Sequence, residues 1–162
     1  MVKIAFVCVE NAGRSQMAAG FARAAAPAGV EIISGGTLPA SQVHPVVVEA
    51  MREVGINLSG ERPKRVGPLD LAACDIVVTM GCSAQDVCPA RFRGDARDWA
   101  LPDPKNRTLD EVRQIRDEIE RRVRRLLREI APAKGSARKP GTRGSRREGR
   151  SRRTLARSGS KR

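Results

Sequence analysis

The sequence predicts an α/β sandwich built on a parallel sheet. Short apolar runs alternate with stretches of helical periodicity, which is the pattern of β-α-β units. Proline and glycine punctuate the changes from one to the other. The chain of 162 residues has room for one domain with a real core, and no internal repeat is visible.

Residues 2–7, VKIAFV, read as a buried strand. Residues 15–26, SQMAAGFARAAA, put Met17, Phe21 and Ala24 on one face of a helix that Pro27 and Gly29 stop. Residues 30–36, VEIISGG, form the second strand. Residues 44–55, HPVVVEAMREVG, form a helix with Pro45 suited to its first position and Gly55 to its end. DIVVTM, 75–80, is the third strand, and RDWAL, 97–101, is a weaker fourth. The last helix opens with Thr108 and Glu111 in capping-box spacing. Along it Leu109, Val112, Ile115, Ile119, Val123, Leu126 and Ile130 recur at three or four, opposite an arginine-laden face that reads as solvated.

The formal net charge of +13 is unevenly placed. Residues 131–162 hold 12 Lys/Arg against Glu148 alone, whereas residues 1–130 hold 19 Lys/Arg and 17 Asp/Glu. The expected division is therefore a globular domain at 1–130 and a basic tail at 131–162. With one leucine and no aromatic residue, the tail cannot offset the entropy of ordering and is expected to be disordered. It is either a solubilising extension or a weak, salt-sensitive contact for a polyanion, without base stacking. No segment approaches the length of a membrane-spanning helix, and the first apolar run is too short for a secretory signal. A cytoplasmic, reducing location with no membrane partner is expected. Four cysteines in that setting suggest chemistry more than cross-links.

Sites in parallel sheets form at the carboxyl ends of strands. FVCVENAGRSQMA lies at such an end, with Cys8 closing the first strand and Ser15 opening the helix. The loop of Val9, Glu10, Asn11, Ala12 and Gly13, continued by Arg14 and Ser15, can turn backbone N–H groups inward as an anion nest. The helix N-terminus adds positive character, and Arg14 can fork two hydrogen bonds onto a tetrahedral oxyanion. The same features stabilise a thiolate. The plainer alternative is a buried strand cysteine followed by an ordinary turn. In VTMGCSAQDVCPA, Cys82 and Cys88 are separated by five residues. Bridging them requires the segment to bend or unwind, so a disulfide, a zinc site and inert thiols all stay open. Cys74, among apolar residues, reads as packing. In LPDPKNRT, Asp103 sits between two prolines. It is a turn aspartate or, facing a bound anion, a general acid. His44 reads as a helix-start residue and Trp99 as core.

CVENAGRS, VTMGC and DP, in this order and spacing, resemble the low-molecular-weight tyrosine phosphatase superfamily over roughly residues 2–128. NAGRSQMA, EVGINLSG and VTMGCSAQDVCP resemble its thioredoxin-coupled arsenate reductase branch. The resemblance implies a flavodoxin-like three-layer sandwich with a four-stranded parallel sheet, acting as a monomer without cofactor or metal. It implies that arsenate, or phosphate or sulfate in its stead, settles in loop 8–15. Cys8 attacks arsenic, Arg14 holds the oxygens and Asp103 protonates the leaving oxygen. Cys82 then attacks the Cys8 adduct, Cys88 resolves the Cys8–Cys82 disulfide, and thioredoxin or a small thiol reduces Cys82–Cys88. Glu10 stands where the reductase pattern often has histidine, and a carboxylate there must point away or pair with a base. The phosphatase branch has tyrosines after DP, where this chain has Lys105, Asn106 and Arg107 and no tyrosine at all. Two other readings stand beside it: a phosphomonoesterase using Cys8, Arg14 and Asp103, and a polyanion-binding protein working through its tail.

Overall fold

The computed structural model describes residues 1–131. The expected tail and its polyanion contact lie outside the described residues, apart from Ala131. The elements run β1 (Val2–Cys8), α1 (Arg14–Ala25), β2 (Val30–Gly36), α2 (Pro45–Arg52), α3 (Pro68–Ala72), β3 (Ile76–Met80), α4 (Ala84–Val87), β4 (Asp95–Asp98) and α5 (Leu109–Ile130). The strands make one four-stranded sheet in the order β2-β1-β3-β4, with every pairing parallel. This is the expected flavodoxin-like architecture.

Alternation along the strands divides the core. Ile4, Phe6 and Cys8 of β1 and Ile76, Val78 and Met80 of β3 face the larger apolar layer with α1, α2 and α5. Ala5, Val7 and Val77 face a smaller layer with Leu71 and Cys74, against which Cys82, Val87 and Cys88 pack. The register sets Cys8 beside Gly36 on one side and Met80 on the other. The ends of three strands thus meet at the sulfur.

Several boundaries differ from the expected ones. The fourth strand is Asp95–Asp98, not 97–101. It is an edge strand with largely exposed side chains, so apolar patterning does not mark it. The apolar residues just beyond it, Trp99 and Leu101, pack on the core as loop residues. Trp99 stacks obliquely on Phe6 with ring centroids 6.0 Å apart. The second helix stops at Arg52, and the chain turns through Gly55 at φ +81° to place the Ile56 N–H on the Met51 carbonyl. The one-turn helices α3 and α4 are too short for periodicity to reveal.

In α5 the expected capping box is present: Glu111 N–H donates to Thr108 Oγ1, and Thr108 N–H donates to Glu111 Oε2 at 2.8 Å. Its charged face carries short-range pairs such as Arg122–Glu118 and Arg124–Glu120. Arg116 departs from the solvated reading. It is buried and donates to the Ala50 carbonyl at 2.8 Å and to Glu53 at 2.9 Å, tying α5 to the end of α2. With Arg113 also on Glu53, that carboxyl is pulled down to about 2.

Candidate active site

The loop after β1 is shaped by where its carbonyls go. Cys8, Val9 and Glu10 carbonyls accept from the N–H groups of Thr37, Leu38 and Ala40. Ala12 and Gly13 carbonyls accept from His44 and Met17, and the Asn11 carbonyl accepts from Gln16 Nε2. In a trans peptide the next residue's N–H points opposite to the carbonyl. The N–H groups of residues 9 to 14 are therefore turned away from those partners, the disposition that an anion nest requires. Asn11 N–H donates to Cys8 Sγ at 3.2 Å. Asn11 itself holds φ +50°, a conformation asparagine tolerates better than most residues.

A hydrogen-bond chain holds the second polar partner of the sulfur. Lys64 N–H donates to Asn11 Oδ1 at 3.0 Å, which settles which end of the amide is oxygen. Asn11 Nδ2 then donates to Ser15 Oγ at 2.8 Å. Ser15 Oγ also lies 2.9 Å from Cys8 Sγ, a hydrogen bond in which either atom can be the donor. Two hydrogen bonds thus meet at a buried sulfur, one donated by Asn11 N–H and one shared with Ser15, which is free to donate when the sulfur is a thiolate. Gln16, also buried, donates to both Asn11 oxygens. Neither Gln16 nor the Lys64 amide was singled out from sequence. For the first, the one sign in the sequence is a glutamine directly after Arg14 and Ser15 in an otherwise alanine-rich helix, and a backbone contact leaves none for the second.

Arg14 is the first residue of α1, one position earlier than expected. Its guanidinium is buried, donates to the Leu101 carbonyl at 2.9 Å and lies 3.6 Å from Asp103 Oδ2. Gly81, at φ +79°, passes under it, and a Cβ there would stand 2.5 Å from the guanidinium. Asp103 is in the loop between β4 and α5, and its Oδ1 accepts from Lys105 N–H at 3.0 Å. Cys8, Val9, Glu10, Gly13, Arg14, His44 and Asp103 line one recess of about 20 Å³. The loop of Cys8 and Arg14 and the proline-flanked Asp103 therefore meet. A larger groove of about 450 Å³, between α2 and residues 58–62, contains no thiol.

Cys82 and Cys88 flank α4 and are both half-buried. Cys82 Sγ lies 3.9 Å from the Val7 carbonyl, one residue before Cys8. Burial pushes the Cys82 thiol up, with the neighbouring Cys8 adding to it. Burial also raises Cys88, with Asp98 adding to it. The segment is anchored by Asp98 Oδ1, which accepts from Ala84 N–H at 3.0 Å and from the Thr79 hydroxyl. Cys74, in the same smaller apolar layer, is buried, donates to the Asp70 carbonyl and is raised to about 11, chiefly by burial. Among the described residues, no three His, Cys, Asp or Glu side chains gather as a metal site. No helix among them is long and apolar enough to cross a membrane.

Glu10 is paired, as its position demands. Lys105 Nζ donates to Oε1 at 2.8 Å, and His44 Nε2 lies 3.3 Å from Oε2. His44 also precedes Pro45 at the start of α2, as expected.

Comparison with known proteins gives a consistent picture. The profile of the low molecular weight phosphotyrosine protein phosphatase family matches residues 3–136. A Halobacterium salinarum protein provisionally named an arsenate reductase is 48% identical over 135 residues, 80% of this chain and 94% of the relative. The glutaredoxin arsenate reductase of Synechocystis sp. is 33% identical over 132 residues, 81% of this chain and 100% of the relative. The solved structure of a Corynebacterium glutamicum thioredoxin-dependent arsenate reductase has 38% identity and a TM-score of 0.68 over 80% of this chain, which spans 62% of that one. By this measure, the chain belongs to the low molecular weight phosphotyrosine protein phosphatase family.

Proposed function

We propose that the protein is an arsenate reductase that passes two electrons from Cys8, Cys82 and Cys88 to arsenic and is regenerated by thioredoxin. The observation that carries the reading is a sulfur, Cys8, held by Asn11 N–H and Ser15 inside an inward-facing amide loop, with Cys82 near the end of the adjoining strand. The names of the relatives agree with it, and one solved relative at 32% identity and TM-score 0.71 is an arsenate reductase in the phosphate-binding state.

In the proposed sequence, the amides of residues 9–14 and the Arg14 fork hold arsenate. The Cys8 thiolate bonds to arsenic, and one oxygen leaves as water after taking a proton from Asp103. Cys82 attacks the Cys8 sulfur. The As–S electron pair stays on arsenic, reducing As(V) to As(III), and arsenite departs from a Cys8–Cys82 disulfide. Cys88 attacks Cys82, freeing Cys8 and leaving Cys82–Cys88 for thioredoxin. The last step requires the anchored four-residue turn α4 to loosen, because a disulfide needs Cα atoms within about 7 Å. A phosphomonoesterase needs Cys8, Arg14 and Asp103 but neither Cys82 nor Cys88. Arsenite formation by the full chain with reduced thioredoxin tests the proposal. Arsenate that only inhibits aryl phosphate hydrolysis, without being reduced, overturns it.

Two further outcomes are expected. Cys82 and Cys88 both carry raised thiols, so little of either is thiolate at neutral pH. Raising the pH increases the attacking form, and single-turnover disulfide formation should accelerate from about pH 6 to about pH 9. A rate flat across that range contradicts it; quenched alkylation reads the rate. Gly81→Ala places a methyl against the Arg14 guanidinium, and its positive φ adds strain. Phosphate affinity should fall about tenfold or more by calorimetry, the loss expected when a charged donor pair is misplaced.

A further inference from the structure

The Glu10 side chain takes no part in the chemistry proposed above, yet it lines the recess and is paired with Lys105 and His44. Lys105 is bonded to both Glu10 and Asp103: its Nζ donates to Glu10 Oε1 at 2.8 Å and its N–H to Asp103 Oδ1 at 3.0 Å. His44 stands 3.3 Å from the other Glu10 oxygen, and its N–H is held by the Ala12 carbonyl. Pro104 lies directly on the anion loop, since a Cβ on Gly13 would meet its Cγ at 2.6 Å. Asp103, Lys105, Glu10 and His44 are thus linked in one run, of which Asp103, Glu10 and His44 line the recess of about 20 Å³.

We propose that the Glu10–Lys105 link, steadied by His44, is a strap that selects a bare tetrahedral oxyanion over a phosphomonoester with a bulky leaving group. The inference rests on the reading of loop 8–15 as an oxyanion site. In an in-line attack by Cys8 the leaving oxygen faces the acid, Asp103. For an inorganic oxyanion that oxygen is the end of the molecule. For an ester, the alcohol group continues past Asp103, where Lys105 reaches across to Glu10. Asn106 and Arg107 follow in place of any aromatic residue that could stack on such a group.

Charge alone makes a different prediction. Removing Glu10 takes a negative charge from an anion site and strengthens every anion; removing Lys105 does the reverse. A strap predicts that both removals act in the same direction on selectivity. The experiment uses the full chain and the variants Glu10→Ala, Lys105→Met, the double variant and Lys105→Arg. For each, kcat/KM for p-nitrophenyl phosphate is divided by the association constant for inorganic phosphate from calorimetry. Both single variants should raise this ratio by about two- to fivefold, the range a half-exposed ion pair permits. The double variant should rise no further than the larger single one, because the two residues share one link. Lys105→Arg should keep the wild-type ratio. Opposite shifts in the two single variants, or no shift in either, overturn the strap. Arsenite formation measured alongside separates the two claims. A shifted ratio in a chain that does not reduce arsenate upholds the strap and removes the reductase reading. Arsenate reduction with an unmoved ratio does the opposite.

Discussion

Cys8→Ser should abolish arsenite formation, by at least about a thousandfold, while inorganic phosphate still binds within about tenfold of wild type. The size follows from removing a covalent nucleophile whose neighbours are left in place, so that none of them can substitute for it. Binding should survive because the proposed anion cradle, the amides of residues 9–14 and Arg14, contains no sulfur. The loop's shape is fixed from outside, by carbonyls engaged with residues 37, 38, 40 and 44 and by the Lys64–Asn11–Ser15 chain. A hydroxyl at position 8 can still accept from Asn11 N–H. Parallel phosphate calorimetry and an arsenite assay separate the two effects. Loss of both together would mean that the sulfur organises the loop, contrary to this account.

Cys88→Ser should complete one turnover and stop. Arsenite should appear at about one equivalent per chain, and steady-state activity should fall at least about a hundredfold with thioredoxin as reductant. In the proposed relay the first two steps need only Cys8 and Cys82. Without Cys88, the oxidised pair is the Cys8–Cys82 disulfide. Cys8 is buried with 3% of its surface accessible, whereas Cys82 and Cys88 flank a half-exposed turn held by few anchors. A protein reductant reaches the second pair far more readily than the first. A burst assay of arsenite against time, compared with Cys74→Ser as a control, reads the outcome. Undiminished multiple turnover in Cys88→Ser would defeat the three-thiol relay.

Much of this arrangement was legible in the sequence, for identifiable reasons. The central strands β1 and β3 are buried on both faces and so are written as continuous apolar runs. Helix α5 declares itself through Thr108, Glu111 and a full apolar stripe. The edge strand β4 was misplaced because Asp95, Arg97 and Asp98 bear no apolar pattern, and its pairing depends on β3. At the site, Cys8, Arg14 and Asp103 were chosen from residue type and position, and the fold brings them to one recess. What sequence could not show is how they are held. The Lys64 amide, the Leu101 carbonyl and the Asp98 anchor act through backbone groups or across 14 or more residues, which no local spacing encodes. Glu10 illustrates the same limit. Its need for a partner could be stated from charge, but Lys105 lies 95 residues away and only the fold supplies it.

The most direct test of the central claim is to map the thiols after the reduced protein meets one equivalent of arsenate without any reductant. Differential alkylation with mass spectrometry should find Cys82 joined to Cys88, with Cys8 and Cys74 free. All four thiols recovered free, or Cys74 in the bridge, would contradict it.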